Sequence, residues 1–264
     1  MQKKLLIKNI VLTRAGQQSD EDVAELIELG ADVISFPTIK VVSCSDYSEF
    51  DKIASSISAT DYLIFTSSNS VLYFHKRISE INKSIDYGSI TVVAVGKKTS
   101  EACKSAGIPI HLIPEIHTGD GIVVALSSAG IRNKNVLIPC SALANDKLKT
   151  GLENLGSNVY KIPVYDVVIP SDKETESSKQ KLNRSNVDLF IFTSPSTFNN
   201  FIQIMNIKNP EEYFSKYIVA AIGTVTKSAI EEKGVRVDII PPEFNMKSLI
   251  KEIVNFYSQT ESGE

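Results

Sequence analysis

The same run of sequence occurs twice in this chain. An apolar, strand-like stretch leads into Phe-Thr-Ser within residues 62–70 and again within 189–196. A helical segment follows each copy, and then a second apolar strand ending in a glycine-led turn, at 92–99 in one half and 219–226 in the other. Phe65 and Phe192, Gly96 and Gly223, Gly107 and Gly234, and Pro114 and Pro241 are all separated by one identical offset. Matches repeated at a fixed spacing are the signature of an internal duplication. The chain is therefore read as two related halves.

Each half alternates strands with helices. Residues 10–13 read as a buried strand, followed by a loop carrying Arg14. Ser19 followed by Asp20, Glu21 and Asp22 predicts a helix start, a cap with acidic groups over the positive end of the dipole. Val23, Leu26 and Ile27 supply the apolar stripe, and Gly30 ends the helix. The second half repeats this with a strand at 136–138, a loop at 139–144 and a helix carrying Leu148, Leu152 and Leu155 before Gly156. Both copies run into a short β-rich stretch with proline second and paired valines at the end, 36–42 and 162–168. Proline favours an edge or extended strand there. Polar stretches at 43–46 and 170–178 read as linker, and 252–257 as a packing helix with a frayed tail from Ser258.

Strands alternating with helices predict parallel α/β layers. Two partitions are open. The halves are consecutive domains, or the chain crosses out at 36–42 and returns at 162–170. The second gives a discontinuous domain (1–35 and 171–264), an inserted one (43–161) and a two-stranded linker (36–42 and 162–170). Matching stretches at both crossings favour it; periodicity alone does not choose.

Several function classes fall away. A formal charge of −3 over 264 residues argues against a general nucleic-acid binder. Three cysteines at unrelated spacings (Cys44, Cys103, Cys140) fit neither a zinc pattern nor a disulfide framework, so reduced thiols in the cytoplasm are expected. The apolar run near Met1 is broken by Lys8 and Asn9 and reads as the lead into the first strand, not a signal peptide. No apolar stretch approaches the ~18 residues of a membrane span. His75, His111 and His117 are isolated, so no metal site is expected; 117–120 reads either as a loop facing a ligand cleft or, more economically, as a helix start at Thr118 and Asp120. A P-loop and a dinucleotide fingerprint are both missing.

The ordered set Thr-Arg, Leu-x-x-Gly, Pro-x-x-x-Val, Phe-Thr-Ser, Val-Gly-x-x-Thr, Val-Tyr, Phe-Thr-Ser-Pro-Ser and Ile-Gly-x-x-Thr resembles the uroporphyrinogen-III synthase family over nearly the whole chain. The resemblance implies two related flavodoxin-like parallel-sheet α/β domains joined by a two-stranded β linker, with the active site in the cleft between them. It also implies cyclisation of the linear tetrapyrrole hydroxymethylbilane to uroporphyrinogen III. Ring D inverts through a spiro intermediate, water is released, and no metal or organic cofactor takes part. The pathway implied is haem, chlorophyll and cobalamin biosynthesis. On this reading the partner is the small-molecule substrate, handed over from hydroxymethylbilane synthase, and the chain is expected to be a monomer with no nucleic-acid or membrane partner.

Such a substrate is a flexible polyanion, and helix N-termini at the carboxyl ends of parallel strands suit its carboxylates. The duplicated turns offer Thr66, Ser67 and Ser68; Gly96 and Thr99; Ser194, Pro195 and Ser196; and Gly223 and Thr226, with Ser141 in the loop of the second half. The plainer role for these residues is helix capping, and the two are compatible. Tyr165 stands apart: its duplicate position holds Ile39, so the repeat itself does not require an aromatic. The resemblance implies a catalytic tyrosine here, a general acid toward the departing hydroxyl; the alternative is a packing tyrosine on a β-strand. Arg14 pairs either with a substrate carboxylate or with a surface acid. Ser141 to Asp146 replaces an arginine-bearing loop, Ser68 and Asn69 replace proline or a basic residue, and Val225 replaces a threonine of the family pattern. A competing reading is a non-catalytic two-lobed binding protein for an anionic metabolite.

Overall fold

The computed structural model describes residue 5, residues 8–14 and residues 17–261. In chain order its elements are β1 (Asn9–Leu12), α1 (Gln17–Glu28), β2 (Asp32–Ser35), β3 (Lys40–Ser43), α2 (Ser48–Ser55), β4 (Tyr62–Phe65) and α3 (Ser68–Glu80). Then come β5 (Thr91–Ala94), α4 (Lys97–Ser105), α5 (Gly119–Ser127), β6 (Asn135–Ser141), α6 (Lys147–Asn154) and β7 (Asn158–Val168). The chain continues with α7 (Asp172–Arg184), β8 (Leu189–Phe192), α8 (Pro195–Ile204), α9 (Pro210–Phe214), β9 (Ile218–Ala221), α10 (Thr224–Glu231) and α11 (Met246–Glu261).

These elements form two compact units, one ending at Lys40 and resuming at Val168, the other spanning Val41–Val167. The first unit holds a parallel sheet in the order β2-β1-β8-β9, with Ile239 bridging to Ala220 at the place of a fifth strand. The second holds β3-β7-β6-β4-β5, with Leu112 bridging to Val93. Without the edge strand β3, the second order repeats the first, and both follow the doubly wound pattern with one switch point. The duplication reaches single hydrogen bonds. The Asp188 carboxylate accepts the Asn9 N–H at 2.7 Å, and the Asp61 carboxylate accepts the Asn135 N–H at 2.8 Å. Asp238 Oδ2 accepts the Val219 N–H at 3.0 Å, and its counterpart His111 Nδ1 accepts the Val92 N–H at 2.9 Å.

Both faces of each sheet are covered, which is why the strands are apolar throughout and do not alternate. In the first unit Ile10, Leu12, Leu189 and Ile191 face Leu26 of α1 and Leu249, Ile250 and Ile253 of α11. Val11, Phe190 and Phe192 face the other way, into Phe198, Phe201 and Phe214. The second unit repeats the arrangement, with Leu63, Phe65 and Leu137 packed against Val71, Phe74 and Cys103, and Ile64, Val136 and Ile138 against Ile122, Leu126 and Leu152.

Local departures from the expected elements have physical causes. α1 starts ahead of the expected cap at Ser19, whose side chain lies outside the described residues, as does most of the lead-in before Lys8. Residues 36–39 are not a strand; Phe36 is wholly buried in the core of the first unit and β3 begins only at Lys40. The stretch 162–168 is not a strand of its own but the far part of β7, which pairs with β6 from Asn158 as far as Tyr165. The polar segment read as linker from Pro170 becomes the helix α7. Ser171 and Glu174 form a reciprocal capping box, acids occupy the first turn, Lys181 and Arg184 the last, and buried Thr175 and Leu182 anchor it. α11 runs past Ser258, whose hydroxyl donates to the Val254 carbonyl, to Glu261.

Gly107 and Gly234, at the same offset as the other repeated residues, follow α4 and α10 with φ of 71° and 76°. That left-handed conformation disfavours any side chain. Gly107→Ala meets no neighbouring atom within 4 Å, so backbone strain alone should cost about 1 kcal/mol of unfolding free energy. Urea denaturation of the variant against the parent measures it.

Candidate active site

In a parallel sheet every strand delivers its carboxyl end to the same edge, and here each such end feeds a helix start. In the second unit β4 passes through Thr66 to Ser67, the N-cap of α3. The Ser67 hydroxyl accepts the Ser70 N–H at 3.0 Å while the Ser70 hydroxyl faces the Ser67 N–H, a closed capping box. The Ser67 hydroxyl also lies 3.3 Å from the Tyr165 hydroxyl. Tyr165 reaches it from β7, opposite Ser141 and just past a register shift between Cys140 and Ser141. The Tyr165 carbonyl accepts the Ala142 N–H at 2.9 Å, which ties the loop after β6 to this point. The ring is 9% exposed and stacks on Tyr73, centroids 5.7 Å apart at 30°. Tyr73 is itself fixed by donating to the Val41 carbonyl at 2.9 Å.

Beside α3, the Ser68 hydroxyl donates to the Lys98 carbonyl at 3.3 Å, joining the starts of α3 and α4. Gly96 caps α4 with extended backbone beneath the His117 ring: a Cβ there would lie 3.1 Å from the imidazole Cγ. Gly96 is consequently buried, while Lys97 and Lys98 after it are exposed. Thr118 caps α5 by accepting the Gly121 N–H at 3.1 Å. Gly121 tolerates no side chain, because a Cβ would stand 1.9 Å from the Ile116 carbonyl oxygen. A cavity of about 300 Å³ opens between the ends of β4 and β6, with Thr66, Gly119, Asp120, Asn145, Lys147 and Lys161 on its wall. Lys161 Nζ donates to the Ala144 carbonyl at 2.6 Å and to Asp146 at 2.5 Å, which holds the Asp146 carboxyl below its ordinary range.

The first unit repeats the plan with other side chains. Ser194 caps α8 in a capping box with Thr197, Pro195 takes the first helical position, and Ser194 Oγ and Ser196 Oγ are 2.9 Å apart. Gly223 caps α10 beneath Phe244, whose Cγ would be 3.1 Å from an added Cβ, and Asn245 caps α11 by accepting the Ser248 N–H at 2.8 Å. Phe244 and Asn245 stand at the same offset from His117 and Thr118 as the other repeated residues. Phe244 is 61% exposed.

A profile of the family described as uroporphyrinogen-III synthase HemD matches residues 20–251. The chain belongs to the uroporphyrinogen-III synthase family. It is 29% identical to the uroporphyrinogen-III synthase of Chlorobaculum parvum over 94% of this chain and 98% of that one. Identity to the enzyme of Synechococcus elongatus is 26%, over 98% and 99%. Among solved structures, uroporphyrinogen-III synthetase from Helicobacter pylori superposes with a TM-score of 0.64 at 15% identity, covering 95% of this chain and all (100%) of that one. A mutant uroporphyrinogen III synthase from Thermus thermophilus does so at 0.58 and 16%, covering 96% and 99%. The structures share the fold, two parallel-sheet α/β units. Family membership places the chain among the lyases of tetrapyrrole biosynthesis.

Of the residues the sequence singled out, Thr66, Ser67, Ser68, Ser141 and Tyr165 gather at the carboxyl edge of the second unit, and Ser194, Pro195 and Ser196 stand at the equivalent edge of the first. Thr99 and Thr226 are 4% and 3% exposed, buried in the first turns of α4 and α10. Their side chains pack, so a ligand at these helix starts meets backbone and the residues before them. Gly96 and Gly223 are likewise covered, by His117 and Phe244. Arg14 pairs with Asp22 at 3.0 Å. Among the described residues no group of three His, Cys, Asp or Glu is placed to hold a metal ion, and no helix is long and apolar enough to cross a membrane. All three cysteines are free; burial pushes the Cys103 thiol up to about 12 and the Cys140 thiol up to about 11, so neither is a thiolate near neutrality. Phe244, Lys147 and Lys161 were not among the expected contacts, although the fixed offset already matched Phe244 to His117.

Removing either serine cap leaves helix N–H groups without a partner. Ser67→Ala and Ser194→Ala should each lower unfolding free energy by about 1 kcal/mol, read from the shift in urea midpoint at unchanged slope.

Proposed function

We propose that this chain closes hydroxymethylbilane to uroporphyrinogen III, inverting ring D through a spiro intermediate and releasing water. The observation that carries the proposal is the Tyr165 hydroxyl, held 3.3 Å from the cap of α3 at an edge built of helix starts, in a chain of this family. Loss of the terminal hydroxyl of the substrate leaves a resonance-stabilised azafulvenium cation. A phenol hydrogen-bonded to that hydroxyl protonates it as it leaves, and Ser67 orients the phenol. Helix starts capped by Ser67, Thr118, Ser194 and Asn245 bind acetate and propionate arms through their free N–H groups. Each such contact contributes about 0.3–1 kcal/mol when exposed, so binding is shared among many.

Acid catalysis is the smaller part of the task, because the leaving group departs readily and the free substrate closes unaided to the uninverted isomer. The larger part is to hold a conformation in which the ring D α-carbon that already carries the bridge to ring C attacks, forming the spiro centre, in place of the free α-carbon whose attack gives the uninverted isomer. Positioning of this kind is worth several kcal/mol without strong acids or bases, and stabilisation of the cation by the surrounding dipoles adds to it. The proposed chemistry uses no metal or organic cofactor. The same reading takes the two compact units as the domains of the enzyme, joined through 36–42 and 162–170. It also takes the chain as a cytoplasmic monomer that receives its substrate from hydroxymethylbilane synthase.

The test couples the chain to hydroxymethylbilane synthase and porphobilinogen and separates the oxidised porphyrins. The type III isomer should dominate; a product no richer in type III than the spontaneous reaction would leave the chain a binder of anionic metabolites. Tyr165→Phe should lower kcat about 10²-fold, the low end for a general acid, with an unchanged melting temperature. Wild-type turnover in that variant would return Tyr165 to a packing role.

A further inference from the structure

The two units repeat one another down to single hydrogen bonds, yet the helix pair beside β6 packs differently from the pair beside β1. Gly119 at the start of α5 and Gly151 in α6 let those helices close on each other. A Cβ on Gly119 would lie 3.6 Å from Leu148 Cβ, and one on Gly151 would lie 2.7 Å from Val123 Cγ2. Met246 stands in the first unit where Gly119 stands in the second. In the register that matches Leu26 with Leu152 and Gly30 with Gly156, Gly151 answers to Glu25. The small residues therefore belong to the second unit.

Their close approach brings the starts of α5 and α6 together around the cavity of about 300 Å³ at the ends of β4 and β6. Lys147, the first residue of α6, lies on its wall and is exposed. Lys161 reaches the wall from β7 with its side chain 20% exposed, fixed to the Ala144 carbonyl and to Asp146. Lys149 faces Glu153 at 3.9 Å. Asp120 contributes an acidic group, but it sits in the first turn of α5, where the positive end of its own helix offsets it. The same register sets Glu21 and Ser35 of the first unit where Lys147 and Lys161 stand. At Lys147 the charge is reversed between the twins.

We propose that this cavity is a carboxylate subsite for one acetate or propionate arm of the substrate, with Lys147 the contact group and Lys161 a positioning residue that holds the 144–146 loop. The proposal rests on the function proposed above and deepens it. Hydroxymethylbilane has two different ends, and the features the two units share give it no preferred direction. A cationic pocket in one half, and an acidic residue at the matching place in the other, fixes which part of the chain lies against the second unit.

The experiment uses the full chain and two readouts: steady-state kinetics with hydroxymethylbilane, and fluorescence titration with uroporphyrin I as a polycarboxylate probe. Lys147→Met should raise KM, and weaken probe binding, about three- to tenfold, with kcat within about twofold and the melting temperature unchanged. Lys147→Glu should weaken both further. Lys161→Gln should raise KM more than it lowers kcat, and Lys161→Arg should restore it. If Lys147→Glu binds probe and substrate as the parent does, the subsite is wrong whatever the parent's product. If the parent forms no type III isomer but its probe affinity falls with Lys147→Glu, the subsite stands and the proposed reaction fails.

Discussion

The N–H groups at the start of a helix have no partner within that helix, and this fold aims one set of them after another at a single edge of each sheet. Parallel strands leave no choice in the matter, since each must be followed by a crossover that starts at its carboxyl end. The first demand on the sequence is thus to terminate those N–H groups. Ser67, Thr118, Ser194 and Asn245 do so with side chains, while Gly96 and Gly223 bring a ring down onto the backbone. An edge prepared in this way is already an anion-binding surface before any charged side chain is added. On the proposed function, that is how an acidic chain of formal charge −3 binds a polycarboxylate.

Duplication preserved the backbone geometry and released the chemistry. Where a strand needs an acceptor for the N–H of its second residue, Asp238 supplies a carboxylate in one half and His111 an imidazole nitrogen in the other. Where a capping glycine needs a lid, one half lays down Phe244 and the other His117. In each pair the position of the atom that makes the contact is kept and the rest of the side chain is not. Residues of this kind are held in place by the fold and are still free to vary in what they offer a ligand. The lysine that answers to Glu21 follows the same logic at the start of α6.

Much of this was legible in the sequence because it rests on local rules. Repeated Phe-Thr-Ser turns, glycines after helices and buried apolar strands follow from capping, left-handed backbone and two-sided burial, all readable along the chain. What was missed depends on tertiary contact. Phe36 belongs to a core rather than a strand because it meets Phe201, centroids 4.9 Å apart, across a long stretch of sequence. The helix α7 was hidden by its polar composition, although its capping box at Ser171 and Glu174 was written in the text. Burial of Thr99 and Thr226 follows from helix phase in the first turn, which sets the third residue inward while the first two face out. The cavity beside α6 was not readable at all, since it needs Gly119, Gly151, Lys147 and Lys161 from three elements.

Tyr165 is where the twin comparison decides most. In the first unit the cap hydroxyl of Ser194 finds another hydroxyl, Ser196, in its own turn at 2.9 Å. In the second unit the equivalent Ser67 meets the tyrosine instead, yet its capping box with Ser70 is complete without that contact. The helix therefore does not need the phenol oxygen. Neither does the core, because the stack on Tyr73 is a ring contact that phenylalanine would make equally well. Burying a hydroxyl beside apolar neighbours such as Phe65 and Val164 costs free energy that one long hydrogen bond only partly returns. A polar atom that neither caps nor packs, at the carboxyl edge of the sheet, is what the proposed role of Tyr165 in acid catalysis rests on.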